Sequence, residues 1–318
     1  MMNTLGQNAV LMRLSAGVPG ESRKDKRTTA EVQAEKGIAS DGGKWIKNLW
    51  PEMALQAIKQ KQTEARTYHE RVTLPFGCKN GDDGVDAIGG MGILPAALLA
   101  EYGDKMREFK GQCDKLVEDF LANLRQWIDW ALAAHNVTFD PKNYPGCTLD
   151  QGGQVQFDEE QFRQVMRKRF YLRTEPLPVP NASHFEDGIR QMLGVDAASV
   201  DIRLADAEAE AKREVMRRMI EPVREMARKL VEEPKVGKDG KVKADIIFRD
   251  SLVGNIKDIA ELAPALNITG DAQIAAFCKE LEGLCRYSPD TLRDDKATRA
   301  EAAGKAAETL KRLEGYSF

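Results

Sequence analysis

Apolar residues recur at alternating steps of three and four from residue 94 to residue 135, and no proline interrupts the run after Pro95. This spacing places the side chains on one face of an α-helix and is typical of a seam that packs against a second helix. At about 1.5 Å per residue, one unbroken helix over this run would be roughly 60 Å long. The seam consists of Leu99, Tyr102, Met106, Phe109, Cys113, Leu116 and Phe120.

A second long helix is predicted over residues 201–232, with Asp201 as its N-cap and a kink at Pro222. Its apolar face carries Met216, Met219 and Met226, whose flexible side chains suit either a protein core or an adaptable binding groove. We therefore predict a mainly α fold with an elongated shape. Two long antiparallel helices would form a coiled-coil-like pair, accompanied by a small β element and peripheral helices.

Turn signals divide the chain into three consecutive regions. Residues 1–92 form a strand and helix region, residues 93–265 a long-helix core with a proline-rich extended insert, and residues 266–318 the C-terminal helices. The small β element is expected from segments near Asn8 and Phe170, with a possible contribution near Val242. The alanine-rich residues 290–314 are expected to form a peripheral helix.

Composition excludes several classes of protein. The 47 basic and 50 acidic side chains nearly cancel, which argues against a general polyanion-binding surface. No run of 18 apolar residues is present, so we expect no membrane-spanning helix. The five cysteines form no CxxC pair, which fits reduced thiols in a cytoplasmic protein.

Signatures of catalysis are missing from the sequence. The three histidines lie far apart, and neither GxxxxGK[ST] nor GxSxG occurs. We therefore expect a non-enzymatic protein without a metal, a cofactor or catalytic residues. One enzymatic alternative stays open, with a site built from the polar side chains Arg66, His69, Thr73, Asp250 and Asn255.

Nucleic-acid binding is a second alternative. Basic residues surround Phe170 and Tyr171, and this combination can follow a phosphate backbone while an aromatic ring stacks on a base. The basic residues are Arg163, Arg167, Lys168, Arg169 and Arg173. A second basic cluster comprises Arg23, Lys24, Lys26 and Arg27. Both clusters also fit ordinary charged surfaces.

Six short strings, in this order, resemble an uncharacterised family of bacterial and phage proteins. They are residues 73–77 (TLPFG), 93–96 (ILPA), 119–123 (DFLAN), 177–180 (LPVP), 248–252 (FRDSL) and 266–271 (LNITGD). The resemblance covers roughly residues 10–276. The glycine-rich segment at residues 78–92 is longer than the family's pattern, and the tail after Cys285 is unmatched.

Members of that family are often encoded beside CobS-like, MoxR-type AAA+ ATPases. The resemblance therefore implies a helper protein in an ATPase-centred assembly of a phage or mobile element, and it supplies no catalytic residues. Together with the apolar seams, it predicts a non-enzymatic adaptor that binds a protein partner and forms homo-oligomers. The seam residues, without Cys113, and the three methionines are the predicted interface.

Overall fold

The computed structural model describes residues 7–76, 91–179, 197–231 and 250–316. Of these described residues, 67% are helical, and they also contain a small sheet element, as predicted from the sequence. The helices in the described part of the chain are α1 (Lys26–Lys36), α2 (Glu52–Val72), α3 (Leu99–Ala122), α4 (Leu124–His135), α5 (Glu159–Arg167), α6 (Ala197–Val231), α7 (Ser251–Leu266), α8 (Ala272–Leu284), α9 (Pro289–Asp294) and α10 (Lys296–Glu314).

The strands are short. They are β1 (Ala9–Gly17), β2 (Ser22–Lys24), β3 (Ile46–Asn48), β4 (Leu74–Pro75), β5 (Met91–Pro95), β6 (Cys147–Leu149), β7 (Val155–Phe157) and β8 (Tyr171–Leu177). The largest sheet has the order β4-β5-β1-β8, while β2-β3 and β6-β7 form two-stranded ribbons. The segments predicted near Asn8 and Phe170 are therefore strands, whereas Val242 lies outside the described residues.

The chain folds into two compact units that alternate along the sequence. The first comprises Met1–Arg13, Glu70–Ala100 and Pro176–Phe318, and the second comprises Leu14–His69 and Glu101–Glu175. These boundaries differ from those of the three consecutive regions, 1–92, 93–265 and 266–318, and that division stays a prediction.

Helix α6 forms the centre of the first unit. It begins at Ala197, so Asp201 lies inside the helix and does not cap it. Pro222 also lies within the helix, and the kink expected there stays a prediction. Its apolar face packs against α7 and α10. Ala302 and Ala306 of α10 are buried in this core, so the expectation of a peripheral C-terminal helix is wrong. Small alanine side chains allow two helices to approach closely, which explains how a weakly apolar helix becomes a core element.

An aromatic core organises the second unit. Trp50 is buried, and its ring meets those of Phe120 and Tyr144 edge to face, with 5.7 and 5.5 Å between ring centroids. Phe162 of α5 packs against the same indole at 6.0 Å. The indole N–H donates to the carbonyl of Gly20, which satisfies its polar atom. This cluster joins α3, α4 and α5 to the segment that precedes α2.

The predicted helix over residues 94–135 is not continuous. Leu94 and Pro95 end β5, and α3 begins only at Leu99, after a 3-10 turn. A break at Asn123 separates α3 from α4, because the side-chain amide of Asn123 donates to the carbonyl of Asp119 and replaces a helical bond, while its backbone N–H donates to the carbonyl of Phe120.

The two long helices are not confirmed as a coiled-coil pair. The described apolar face of α6 belongs to the core of the first unit, while Val117, Phe120 and Leu121 of α3 belong to the core of the second. Earlier along α3, Tyr102 and Phe109 contact Tyr68 of α2, at 6.1 and 6.0 Å between ring centroids. Each seam is thus buried by neighbours within its own unit.

Candidate interaction surface

A small β-α-β segment of the second unit, residues 22–48, presents the most distinctive surface of the described chain. Asp25 begins α1 as its N-cap and accepts a hydrogen bond from the Thr28 amide at 3.1 Å. Lys47 of β3 contacts the same carboxylate at 3.3 Å and donates to the carbonyl of Thr138 at 2.7 Å. Burial raises the pKa of Asp25, but the bonds from Thr28 and Lys47 outweigh it and hold the pKa below its usual range.

The connection between α1 and β3 is fixed by hydrogen bonds although it has no regular structure. Gly37 ends α1 in the left-handed conformation with φ 63°, which glycine adopts without strain. The Gln33 side chain reaches across the loop and donates to the carbonyls of Ser40 and Gly43, at 3.1 and 2.8 Å. These bonds hold the loop against the helix.

Hydrogen bonds hold the backbone of Trp45, whereas its side chain is exposed to solvent. Its amide donates to the Thr29 hydroxyl at 3.0 Å, and its carbonyl accepts from the Asp25 amide at 3.0 Å. Trp45 nevertheless stays 54% exposed, and Ile46 and Ile38 of the same segment are 51% and 41% exposed. We call Ile38, Trp45 and Ile46 the Trp45 surface. Large apolar side chains that remain exposed on a rigid backbone are typical of binding surfaces.

Lysines accompany these apolar side chains. Lys24 is directly opposite Ile46 in the β2-β3 ribbon, so the two residues share a face. Lys44 precedes Trp45, and Lys26 begins α1. None of the three makes an ion pair with another residue of the described chain. The segment from 22 to 48 holds seven Lys and Arg against four Asp and Glu.

A groove with a volume of about 540 Å³ begins where the ribbon ends. Glu21 and Asn48 line its start, and the N-terminal half of α2 lines the rest with polar side chains. These are Glu52, Gln56, Lys59, Gln60 and Thr63. Lys59 pairs with Glu21 at 2.9 Å across the groove. Asn48 and Ile46 are two positions apart in β3 and therefore point to the same side, so the groove continues the face that carries Ile46.

The predicted interface residues lie mostly in the interior. Tyr102, Met106, Phe109 and Phe120 are buried in the second unit, Leu116 is half-buried, and Leu99 is exposed. Met216, Met219 and Met226 are buried in the core of the first unit. Burial by the chain's own helices supports core packing for the buried residues of both sets, and their role in binding another molecule stays a prediction.

The predicted basic cluster lies at the end of α5 and along β8. Arg163 pairs with Glu159 at 2.9 Å and Arg167 with Glu118 at 2.6 Å. The Arg173 guanidinium lies 5.3 Å from the ring centroid of Tyr171, which is 40% exposed. Lys168 and Arg169 are exposed. Two of the five cations therefore already have carboxylate partners.

The five residues of the enzymatic alternative are divided between the two units. Arg66 and His69 belong to the second unit, whereas Thr73, Asp250 and Asn255 belong to the first. Asp250 forms an ion pair with Arg293. His69 is buried, and its Nδ1 lies 2.8 Å from the hydroxyl of Tyr102. Burial raises the pKa of Tyr102 and keeps that hydroxyl protonated.

Within the residues that the structure describes, no group of three or more His, Cys, Asp and Glu side chains is placed to hold a metal ion. Nor does any helix in those ranges combine the length and the apolar character needed to cross a membrane. Sequence reasoning noted the basic cluster Arg23, Lys24, Lys26 and Arg27 of this segment but missed Lys44, Trp45, Ile46 and Ile38. The available signal was a tryptophan two residues after the glycine pair Gly42-Gly43.

Comparisons with known proteins add no relative. No protein-family model, no curated protein and no solved structure matches this chain.

Proposed function

We propose that this protein is a non-enzymatic adaptor that binds a protein partner through the Trp45 surface. The observation that supports the proposal is the combination of an exposed indole with a backbone that is hydrogen-bonded on both sides. A rigid surface loses little conformational entropy on binding, so most of its contact energy becomes affinity. Tryptophan is also among the residues that dominate the binding energy of protein interfaces.

The family resemblance suggests the partner. We propose an AAA+ ATPase of a phage or mobile element, in a bacterial cytoplasm, with this chain acting as a homo-oligomer. Removal of a central tryptophan from an interface costs about 2 kcal/mol or more, which corresponds to roughly thirtyfold in affinity. Trp45→Ala is therefore expected to release the partner without unfolding the chain, because the indole makes few contacts of its own.

The test uses three tagged full-length proteins produced in the natural host: the wild type, Trp45→Ala/Ile46→Ser, and Leu149→Ser. Leu149 is a matched control because it is 53% exposed and lies in the same unit. Quantitative mass spectrometry should recover an AAA+ ATPase with the wild type and the control, and at least tenfold less with the double variant. Equal recovery with all three would refute the proposal. Light scattering of the purified chain at two concentrations tests the homo-oligomer.

Nucleic-acid association remains a second candidate, and the stacking of Arg173 on the exposed ring of Tyr171 favours it. Binding would release counterions from the phosphates, so affinity should fall steeply between 50 and 200 mM salt. Fluorescence anisotropy with labelled single-stranded and double-stranded DNA measures this. Tyr171→Ala should weaken single-strand binding about tenfold. Binding that is absent, or insensitive to salt, would exclude this candidate.

A further inference from the structure

We propose that residues 22–48 of the second unit form a conformational switch, which unfolds and refolds as one element while the aromatic core around Trp50 stays folded. We call them the switch segment, and we call residues 135–143, to which they are hydrogen-bonded, the receiving stretch. The opening itself concerns only contacts within the second unit. Its role rests on the proposed adaptor function, since Trp45 lies in the switch segment and its opening would remove the proposed binding surface.

The switch segment adds no apolar side chain to a hydrophobic core of the described residues. Its buried residues are Asp25, Thr29 and Lys47, and all three are polar. Its apolar residues are exposed apart from Val32, which is half-buried and belongs to neither core. Burial of apolar surface is the main stabilising contribution to a fold. A segment that lacks it opens at a lower free energy than the core does.

Three hydrogen bonds join the switch segment to the receiving stretch among the described residues, and each of them involves a side chain. They are Lys47 to the carbonyl of Thr138 at 2.7 Å, His135 to the carbonyl of Asn48 at 2.7 Å, and Arg23 to the side-chain oxygen of Asn143 at 3.3 Å. The buried Lys47 also pairs with Asp25 at 3.3 Å, so one ammonium group connects the start of α1, β3 and the receiving stretch. Hydrogen bonds add little net stability individually, because the open state exchanges them for bonds to water.

The elements of the switch segment are too short to stay folded without the receiving stretch. Helix α1 has 11 residues, and each strand of the β2-β3 ribbon has three. Isolated helices below about 12 residues and isolated two-stranded ribbons are marginal in water. Loss of the three contacts therefore unfolds the whole segment rather than releasing a folded arm.

Both ends of the switch segment are anchored outside it, which confines the opening. The Leu49 amide donates to the carbonyl of Glu21 at 2.7 Å, and this bond closes the base of the segment. Next to it, the buried Trp50 donates through its indole to the carbonyl of Gly20 at 3.0 Å. The aromatic core can therefore persist when the segment opens.

The receiving stretch contains a strained residue, which favours the open state. Asn136 has φ 40° and ψ −117°, a conformation that glycine adopts readily and other residues rarely. Such strain persists only where the surroundings enforce it. His135 and Thr138 lie on either side of Asn136, and both are bonded to the switch segment. Opening releases both residues and allows Asn136 to relax.

The test is amide hydrogen exchange of the purified full-length chain, measured by NMR under conditions in which the rate reports the opening equilibrium. The informative amides are those of Thr29, Ile38 and Trp45, which are hydrogen-bonded within the switch segment. The reference amides are those of Val117 and Leu121, in the part of α3 that belongs to the aromatic core. We expect the three amides to share one opening constant and to exchange roughly a hundredfold or more faster than the reference amides.

Three variants distinguish a switch from ordinary fraying. Lys47→Met removes the central contact and should accelerate exchange of the switch segment by about tenfold or more. Asn136→Gly relieves the strain and should slow it about threefold or more. Lys59→Met is the matched control, because it breaks an exposed pair with Glu21 just outside the segment and should change the exchange by less than about twofold. None of the three should alter exchange of the reference amides.

Equal exchange of the switch segment and α3, a gradient of rates in place of one opening constant, or no acceleration by Lys47→Met would overturn the inference. So would exchange that Asn136→Gly does not slow, or a Lys47→Met effect equally large in α3, which would indicate unfolding of the whole unit. The experiment contains no partner. If it fails while Trp45→Ala/Ile46→Ser still loses the ATPase in the host, the adaptor function stands and only the switch falls. If it succeeds and no ATPase is recovered, the adaptor proposal falls and the opening stands without that role.

Discussion

Two neighbouring arginines of α6 differ in what they contact, and this difference predicts different effects on stability. Both bind Glu214, which is only 6% exposed: Arg217 contacts its oxygens at 2.7 and 2.8 Å, and Arg218 contacts one of them at 2.9 Å. The Arg217 side chain is 59% exposed, whereas that of Arg218 is 18% exposed.

Of the two arginines, only Arg218 also donates hydrogen bonds to the backbone at the end of α2. Its guanidinium donates to the carbonyls of Glu70, Arg71 and Thr73, at 3.0, 2.6 and 2.8 Å. The last carbonyls of a helix have no partner within the helix, and a cation there is favourable. Breaking a buried ion pair costs about 3–5 kcal/mol. Because Arg217 still contacts Glu214, we expect Arg218→Met to cost about 3 kcal/mol.

Arg217→Met is the matched control. It removes a guanidinium that is itself 59% exposed and makes no backbone contact, and Arg218 still pairs with Glu214, so we expect a loss of about 1 kcal/mol. Urea unfolding followed by circular dichroism measures the loss of unfolding free energy for both variants. The comparison is valid when the variants and the wild type have the same dependence of that free energy on urea concentration. Equal losses for the two variants would refute the assignment of the larger effect to the helix-end carbonyls.

Acid provides an independent check on the same cluster. Burial raises the pKa of Glu214, but the hydrogen bonds from Arg217 and Arg218 outweigh it and lower the pKa from 4.5 to about 2. Since the pKa is lower in the folded state, the stabilisation is complete above pH 4.5 and is lost as the pH falls through 2. Its size is about 3 kcal/mol, from about 1.4 kcal/mol per pKa unit. The free energies of unfolding of the wild type and of Arg218→Met should therefore become more similar as the pH falls from 5 to 2. A difference that stays constant over this range would contradict the stabilising role of the Glu214 carboxylate.

Two further predictions concern packing. A Cβ on Gly92 would lie 2.5 Å from the Thr73 hydroxyl oxygen, whereas a Cβ on Gly111 meets no atom within 4 Å. Thermal melts should therefore show Gly92→Ala destabilised by about 1–3 kcal/mol and Gly111→Ala stabilised by about 1 kcal/mol, and shifts of the same sign would refute this. Met219 is fully buried, so Met219→Ala should cost about 2–5 kcal/mol in urea unfolding, whereas a loss below about 0.5 kcal/mol would contradict its place in the core.

The helices that could be predicted are those with local signals. Pro51 directly precedes Glu52, the first residue of α2, and proline is common at the start of a helix. Thr269 and Asp271 both precede α8 and are both suitable N-caps, and the structure has Asp271, which accepts from the amides of Gln273 and Ile274. Capping and periodicity act over a few residues, so one sequence is enough to read them.

The partners of those helices could not be predicted. Periodicity shows that Met219 and Phe109 lie on apolar faces, but it carries no information about which helix covers each face. In the structure α10 covers α6, although alanines such as Ala306 give it a weak apolar signal. The selection depends on close approach between small side chains far apart in sequence, which a reading of local spacing does not detect.

The same limit explains why the candidate site was missed. Trp45 and Trp50 are five positions apart, yet Trp45 is 54% exposed and Trp50 only 3%. Distant groups decide this difference, because the ring of Phe120 covers Trp50 while the Thr29 hydroxyl holds the backbone of Trp45. An indole that the fold could have buried and instead presents on a fixed backbone is the strongest reason to look for the binding partner at this surface.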